Sequence, residues 1–200
     1  MVTKAMGVDN LNKTFISISK NIYHRGLVSG RGGNISVKSI LDGEILIKRS
    51  GATFRNLNEN DILLVNTKGR ILQGKDVPSN DLLIHLGIYS KRNDVGAIIH
   101  THSPYATAFS IIGRPIPLLT IQAKEILKKN VFLNVDSYSP QYLSEKCRAL
   151  FNDPLLKAVL LKCHGAVIVG RDLEDAFNNA DLLEETAKIA ILYGKLKGSD

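Results

Sequence analysis

The chain has no tryptophan and, in 200 residues, only two cysteines, two methionines and six prolines. Two cysteines, Cys147 and Cys163, are too few for a disulfide framework and point to a reducing compartment. No apolar run approaches the ~20 residues needed to span a bilayer. The N-terminal stretch MVTKAMGVDNLNK also lacks the apolar segment of a signal peptide, so a cytoplasmic protein without a membrane partner is expected. Repeats, low-complexity tracts and linker-like segments are missing too, which predicts a single domain over residues 1–200. Acidic residues are outnumbered, 19 against 26 Lys and Arg, leaving a net charge of +7 and a pI near 9.4. Such an excess suits an anionic partner. Nucleic acid is not expected, because the basic residues are scattered and no recognised binding motif accompanies them. A small phosphorylated or carboxylated substrate needs only a local positive site.

Against this background the histidines stand out. Two of them, His100 and His102, close the apolar run Val95-Gly-Ala-Ile-Ile-His-Thr-His102, and a third closes Ala158-Val-Leu-Leu-Lys-Cys-His164. Strand side chains alternate between faces, so His100 and His102 project together and Thr101 projects away. Gly165 lets the chain turn sharply into Ala166-Val-Ile-Val-Gly170. If the two strands lie side by side, three neutral imidazoles converge. Three protein ligands with an open fourth position is the arrangement of a catalytic zinc, one per chain, although another divalent metal would also fit. The same alternation turns Cys163 away from His164, as a buried small hydrophobe.

Helical and extended periodicities divide the rest. Leu11, Phe15, Ile18 and Ile22 form a helical stripe over Asp9–Arg25. Asn34–Lys38 and Glu44–Lys48 read as strands joined by a turn at Leu41-Asp-Gly43. Asp61–Val65 and Arg70–Leu72 read as a hairpin around Asn66–Gly69. Ser79–Lys91 reads as a helix capped by Ser79, with Leu82, Leu86 and Tyr89 on one face. Ser139-Pro140 starts a further helix to about Asn152. The last helix begins at Asp172, with Asp175 completing a capping box and an apolar stripe from Leu173 to Ala190. The sum predicts an α/β fold with a mostly antiparallel central sheet flanked by helices.

Three junctions between these elements are rich in hydrogen-bond donors. Ser29-Gly-Arg-Gly-Gly-Asn-Ile-Ser36 brings glycines beside the Arg31 fork and the Asn34 amide, a loop that lets backbone N–H groups approach an anion. Ser50-Gly51 follows a strand. Pro78-Ser-Asn80 precedes a helix, where an N-terminus favours phosphate.

Taken in order, Gly33-Asn34-Ile-Ser36, Ser50-Gly51, Pro78-Ser-Asn-Asp81, His100-Thr-His102 and His164-Gly165 with Leu173-Glu-Asp-Ala-Phe177 resemble the class II aldolase/adducin family over nearly the full length. No single motif decides this; the ordered set does. The resemblance implies a three-layer α/β/α sandwich, a homotetramer and a small phosphorylated sugar as substrate. By the same resemblance His100, His102 and His164 would bind zinc, and Gly33, Asn34, Ser50, Gly51 and Ser79 would line the substrate phosphate. Asn80 stands where family aldolases often have a second serine, and Arg31 stands in place of a threonine.

The reaction implied is cleavage of a ketose 1-phosphate to dihydroxyacetone phosphate and an aldehyde through an enediolate, with Asp81 as acid/base. Family aldolases carry glutamate at that place, whereas the 4-epimerases carry aspartate, as an additional metal ligand. A pentulose-phosphate 4-epimerase, a dehydratase or a decarboxylase is therefore the alternative. A non-catalytic adducin-like module has no use for three convergent imidazoles. Other departures concern tyrosines: Pro117-Leu-Leu-Thr-Ile-Gln-Ala123 has none where aldolases supply one, and the chain does not reach the tail that supplies a second. Gln122 or Glu125 is the substitute this region offers, although a short Lys-Glu on a helix is equally well explained as a solvated face. His85, one helical turn after Asp81, reads as a supporting or structural histidine.

Overall fold

The computed structural model describes residues 2–39 and 43–198. Its elements, in chain order, are α1 (Val2–His24), β1 (Asn34–Lys38), β2 (Glu44–Lys48), β3 (Ile62–Asn66), β4 (Ile71–Gln73), α2 (Leu82–Tyr89), β5 (Ala97–Thr101), α3 (Pro104–Ile112), α4 (Ile121–Ile126), β6 (Lys129–Leu133), α5 (Pro140–Leu150), β7 (Leu156–Leu161), β8 (Gly165–Gly170) and α6 (Leu173–Lys197). Eight strands form one sheet in the order β4-β3-β2-β1-β5-β8-β7-β6. Every neighbouring pair is antiparallel except β6 with β7, so the sheet is mostly antiparallel with a mixed edge.

Alternation along the strands sorts the apolar side chains into two cores, one on each face. Ile35, Val37, Ile99 and Ile168 meet Phe15, Ile18 and Ile22 of α1, Ala106 and Phe109 of α3, and Ala176, Ala180 and Leu183 of α6. Ile45, Ile47, Ile98 and Val167 point the other way, onto Leu82, Ile84 and Ile88 of α2 and Leu143 and Cys147 of α5. This is the three-layer α/β/α arrangement. Each buried Leu, Ile, Val or Phe side chain contributes roughly 1.5–3 kcal/mol, and both layers are anchored on β5 and β8 at the middle of the sheet.

Several local expectations need correction. Helix α2 begins at Leu82, not at Ser79, and its N-cap is Asp81. The segment before it is drawn instead onto the end of β2: Ser50 N donates to Val77 O at 2.8 Å, Ser79 N donates to Lys48 O at 3.3 Å, and Arg49 bridges Pro78. Cys163 is exposed and left-handed at φ 52°, because it lies in the β7–β8 turn where strand alternation no longer applies. Asp172 caps α6 by accepting from Asp175 N at 2.8 Å, but the Asp175 carboxylate returns to Arg171 N rather than to Asp172 N, so the capping box is displaced by one residue. The turn expected at Leu41-Asp-Gly43 falls partly outside the described residues. Helices α3 and α4 and strand β6 were not foreseen in the sequence.

Candidate active site and metal centre

The site lies at one end of the sheet, where the start of β1, the end of β5 and the β7–β8 turn converge. Antiparallel register places Asn34 of β1 directly opposite His100 of β5, and His100 opposite Val167 of β8. His102 follows two residues later, just past the strand, and His164 approaches from the turn. Two glycines make this closeness possible. A β-carbon on Gly165, at φ 146°, would lie 2.1 Å from Thr101 O, and one on Gly33, at φ 73°, would lie 2.6 Å from His100 O.

The three imidazoles face one another. His102 Nε2 is 2.9 Å and His164 Nε2 3.4 Å from His100 Nε2, and among the described residues this trio forms a group whose candidate ligand atoms all lie within 4.8 Å. Tetrahedral ligands about 2.0–2.1 Å from a shared cation stand roughly 3.3 Å apart, so the spacing suits a divalent metal. His100 Nδ1 lies 2.9 Å from Ala166 O and can donate to it, which leaves the Nε2 lone pair turned toward the cluster. Burial, with the neighbouring His164, holds the His100 imidazole well below its ordinary pKa, and burial lowers His102 as well. Both are therefore neutral near pH 7, the form that ligates.

Around the histidines opens a cavity of about 430 Å³. Its walls bring together Arg31, Gly33 and Asn34, then Ser50 and Gly51, then Ser79, Asn80 and Asp81, with His100, His102 and His164. These are the eleven residues that the sequence assigns to metal, acid/base and phosphate roles; the other candidates it names, His85, Gln122 and Glu125, do not line the cavity. The pairing of β2's end with Val77–Ser79 sets the two serine-bearing junctions side by side. Asn34 Nδ2 donates to Asp81 Oδ2 at 2.5 Å, tying the β1 junction to the third.

Gln122 and Glu125 are not part of this cavity. Gln122 lines a separate cleft with Asp181 and Glu185, and Glu125 is exposed on α4. The cavity instead receives a phenol from elsewhere, Tyr138 in the loop before α5, whose ring stands 5.9 Å from that of His164 and whose hydroxyl donates to Lys162 O at 2.6 Å. A second unforeseen lining residue is Lys48, only 2% exposed. Its ammonium donates to Ala52 O at 2.8 Å and Arg49 O at 3.4 Å, leaving the third N–H without a protein acceptor among the described residues. Burial, with a smaller contribution from Arg49, lowers its pKa to about 8. In the sequence it is simply the last residue of the strand Glu44–Lys48; its place two residues before Ser50 was the available signal.

The family model of the class II aldolase and adducin N-terminal domain matches residues 13–191. An L-fuculose phosphate aldolase of Methanocaldococcus jannaschii is 38% identical over 180 residues, covering 90% of this chain and 95% of that protein. A 3-oxo-tetronate 4-phosphate decarboxylase of Haemophilus influenzae is 33% identical over 181 residues, covering 87% of this chain and 83% of that protein. The crystal structure of L-fuculose-1-phosphate aldolase from Thermus thermophilus is similar with a TM-score of 0.84 at 27% identity, covering 95% of this chain and 97% of that one.

Proposed function

Because the chain belongs to the class II aldolase and adducin family, we propose that it is a metal-dependent aldehyde-lyase cleaving a ketose 1-phosphate to dihydroxyacetone phosphate and an aldehyde. The observation that carries this reading is the convergence of three imidazoles, a carboxylate and a donor-rich anion pocket on one cavity. His100, His102 and His164 hold the metal, zinc on this reading, which supplies Lewis acidity toward the substrate's carbonyl and hydroxyl oxygens. Arg31, the Asn34 amide, Ser50, Gly51, Ser79 and Asn80 bind the phosphate, and Lys48 adds a buried cation to it. As the C4 hydroxyl gives up its proton to solvent and the C3–C4 bond breaks, the aldehyde carbonyl forms and an enediolate is left, to which the Asp81 carboxyl delivers the proton at C3. Tyr138, beside His164, bounds the aldehyde side.

A second reading draws support from the decarboxylase relative: loss of carbon dioxide from a 3-oxo acid phosphate passes through the same kind of enediolate. One experiment separates the two. Protein loaded with zinc is offered a panel of ketose 1-phosphates and sugar-acid phosphates, and products are identified. Aldehyde release is expected, together with exchange of the dihydroxyacetone-phosphate C3 proton with solvent, and both should fall at least a hundredfold in Asp81→Asn and in His100→Ala. In His100→Ala metal content should also drop to a small fraction of one per chain, while Asp81→Asn should keep most of it. Carbon dioxide release without aldehyde would move the decarboxylase ahead. Assembly as a homotetramer belongs to the same proposal, supported by the exposed apolar residues Ile111, Ile112 and Ile121 at the ends of α3 and α4.

A further inference from the structure

Asp81 occupies the N-cap of α2 without doing what aspartate does there. A capping carboxylate ordinarily accepts from the free N–H groups of its own first turn, yet Asp81 makes no such bond, and its backbone, at φ −85° and ψ 6°, is not the extended one of a usual cap. Its carboxylate turns outward to Asn34 and the cavity. Something must hold α2 so that outward is the favoured direction.

A buried polar ladder between β1 and α2 does this. Asp81, His85 and Tyr89 recur every four residues along one face of the helix, an advance of about 6 Å per rung. Asn34, Ser36 and Lys38 recur every two residues along the facing side of the strand, an advance of roughly 6.7 Å. The two spacings match closely enough for rungs to form. Asn34 bonds Asp81; Ser36 Oγ lies 2.6 Å from His85 Nδ1 and 2.8 Å from Tyr89 OH; and Lys38 Nζ stands 5.3 Å over the Tyr89 ring. Ser36 and His85 have no exposed surface, and His85 Nε2 is buried with no hydrogen-bond partner among the described residues. An apolar side chain would fill that place without leaving a ring nitrogen unsatisfied, so packing alone does not account for a histidine. Burial drives its pKa down to about 4, so it stays neutral across the working range and its bond to Ser36 does not switch.

We infer that His85, through Ser36 and Tyr89, is a positioning residue for Asp81: it fixes the height and rotation of α2 at which the carboxylate faces the histidine cavity instead of its own helix. The inference rests on the proton-moving role proposed for Asp81, and it is separable from it. In His85→Phe, which fills the space but breaks the rung, kcat for aldehyde release is expected to fall tenfold or more, with KM changed less than twofold and metal content unchanged. His85→Gln, which can still bond Ser36, should recover much of the loss. In an Asp81→Asn background His85→Phe should cost nothing further. An equal loss in both backgrounds would mean a merely structural role and would overturn the inference.

Should His85→Phe not fold, Ser36→Ala removes the shared oxygen without added bulk and carries the same expectations. The geometry can be checked without turnover: a crystal structure of either variant should show the Asp81 carboxylate swung from Asn34 onto the N–H groups of its own first turn. A carboxylate still on Asn34 would overturn the inference. Wild-type protein that releases no aldehyde from any ketose 1-phosphate would overturn the lyase reading, and the crystallographic result would still decide the ladder.

Discussion

Lys48 shows how a residue can be plain in the sequence and its environment hidden. Alternation places it at the end of a strand, where a lysine normally reaches solvent, but the loop at Ala52–Phe54 closes over it and its ammonium lies 5.4 Å from the Phe54 ring. The sign of its contribution follows from its lowered pKa. Between about 8 and the ordinary value of 10.5 the unfolded chain binds more protons than the folded one, so this group's burial opposes folding most below pH 8 and least above 10.5. Lys48→Met should therefore stabilise the protein at pH 7, by roughly 1–3 kcal/mol, since an incompletely paired buried charge is removed. The same change should weaken competitive inhibition by sulfate tenfold or more at pH 7. In the wild type that inhibition should fade as pH rises through 8; in Lys48→Met it should be flat. Sulfate is the useful probe because its own charge is constant over this range. Unchanged sulfate inhibition in the variant would remove Lys48 from the anion pocket. The histidines, by contrast, were legible because strand alternation and a turn glycine are local rules, whereas burial of Lys48 depends on a loop whose path no local rule sets.

Among the elements, the β7–β8 turn bears most directly on the histidine cluster. It must bring His164 to His100 while passing within contact of the Thr101 carbonyl, and only glycine at 165 permits both the positive φ and the approach. Gly165→Ala is expected to push the turn away from β5, lower metal content at least tenfold and destabilise the fold by about 2–4 kcal/mol, read by elemental analysis and denaturant unfolding. Retention of full metal content would show that His164 tolerates displacement. Strands β1 and β2 and helix α5 follow their sequence patterns because periodicity and cap agree there. Helix α2 does not, because the backbone of Val77–Ser79 finds partners on β2 and the helix can begin only where that pairing ends. Helix α3, Pro-Tyr-Ala-Thr-Ala-Phe-Ser-Ile-Ile, mixes β-branched and aromatic residues of middling helix propensity. Its N-terminus is held instead by the Glu184 carboxylate, which accepts from Tyr105 N and Ala106 N at 2.9 and 2.8 Å across 79 and 78 residues of chain.

At the scale of the whole molecule, the sheet order explains why most lining residues of the candidate site could be named from the sequence but not assembled from it. Hairpins such as β1–β2 and β7–β8 are neighbours in the chain, whereas β1–β5 and β5–β8, the pairings that set Asn34 beside His100 and bring the His164 turn to it, join segments some 60 residues apart. Those long-range pairings also lie between the two apolar layers, so the cavity cannot be dismantled without opening both cores. A ligand that binds only the folded site then stabilises the entire domain. A metal present at a hundred times its dissociation constant adds about 2.7 kcal/mol, and for a chain of this size each kcal/mol raises Tm by roughly 2–4 °C. Chelation is accordingly expected to lower Tm by about 5–11 °C while leaving a single transition that coincides for far-ultraviolet circular dichroism and calorimetry. His164→Ala should melt at the chelated temperature with or without added zinc. Two separated transitions would overturn the expected single cooperative unit, and a His164→Ala protein that still gains the full increment from zinc would break its link to the histidine cluster.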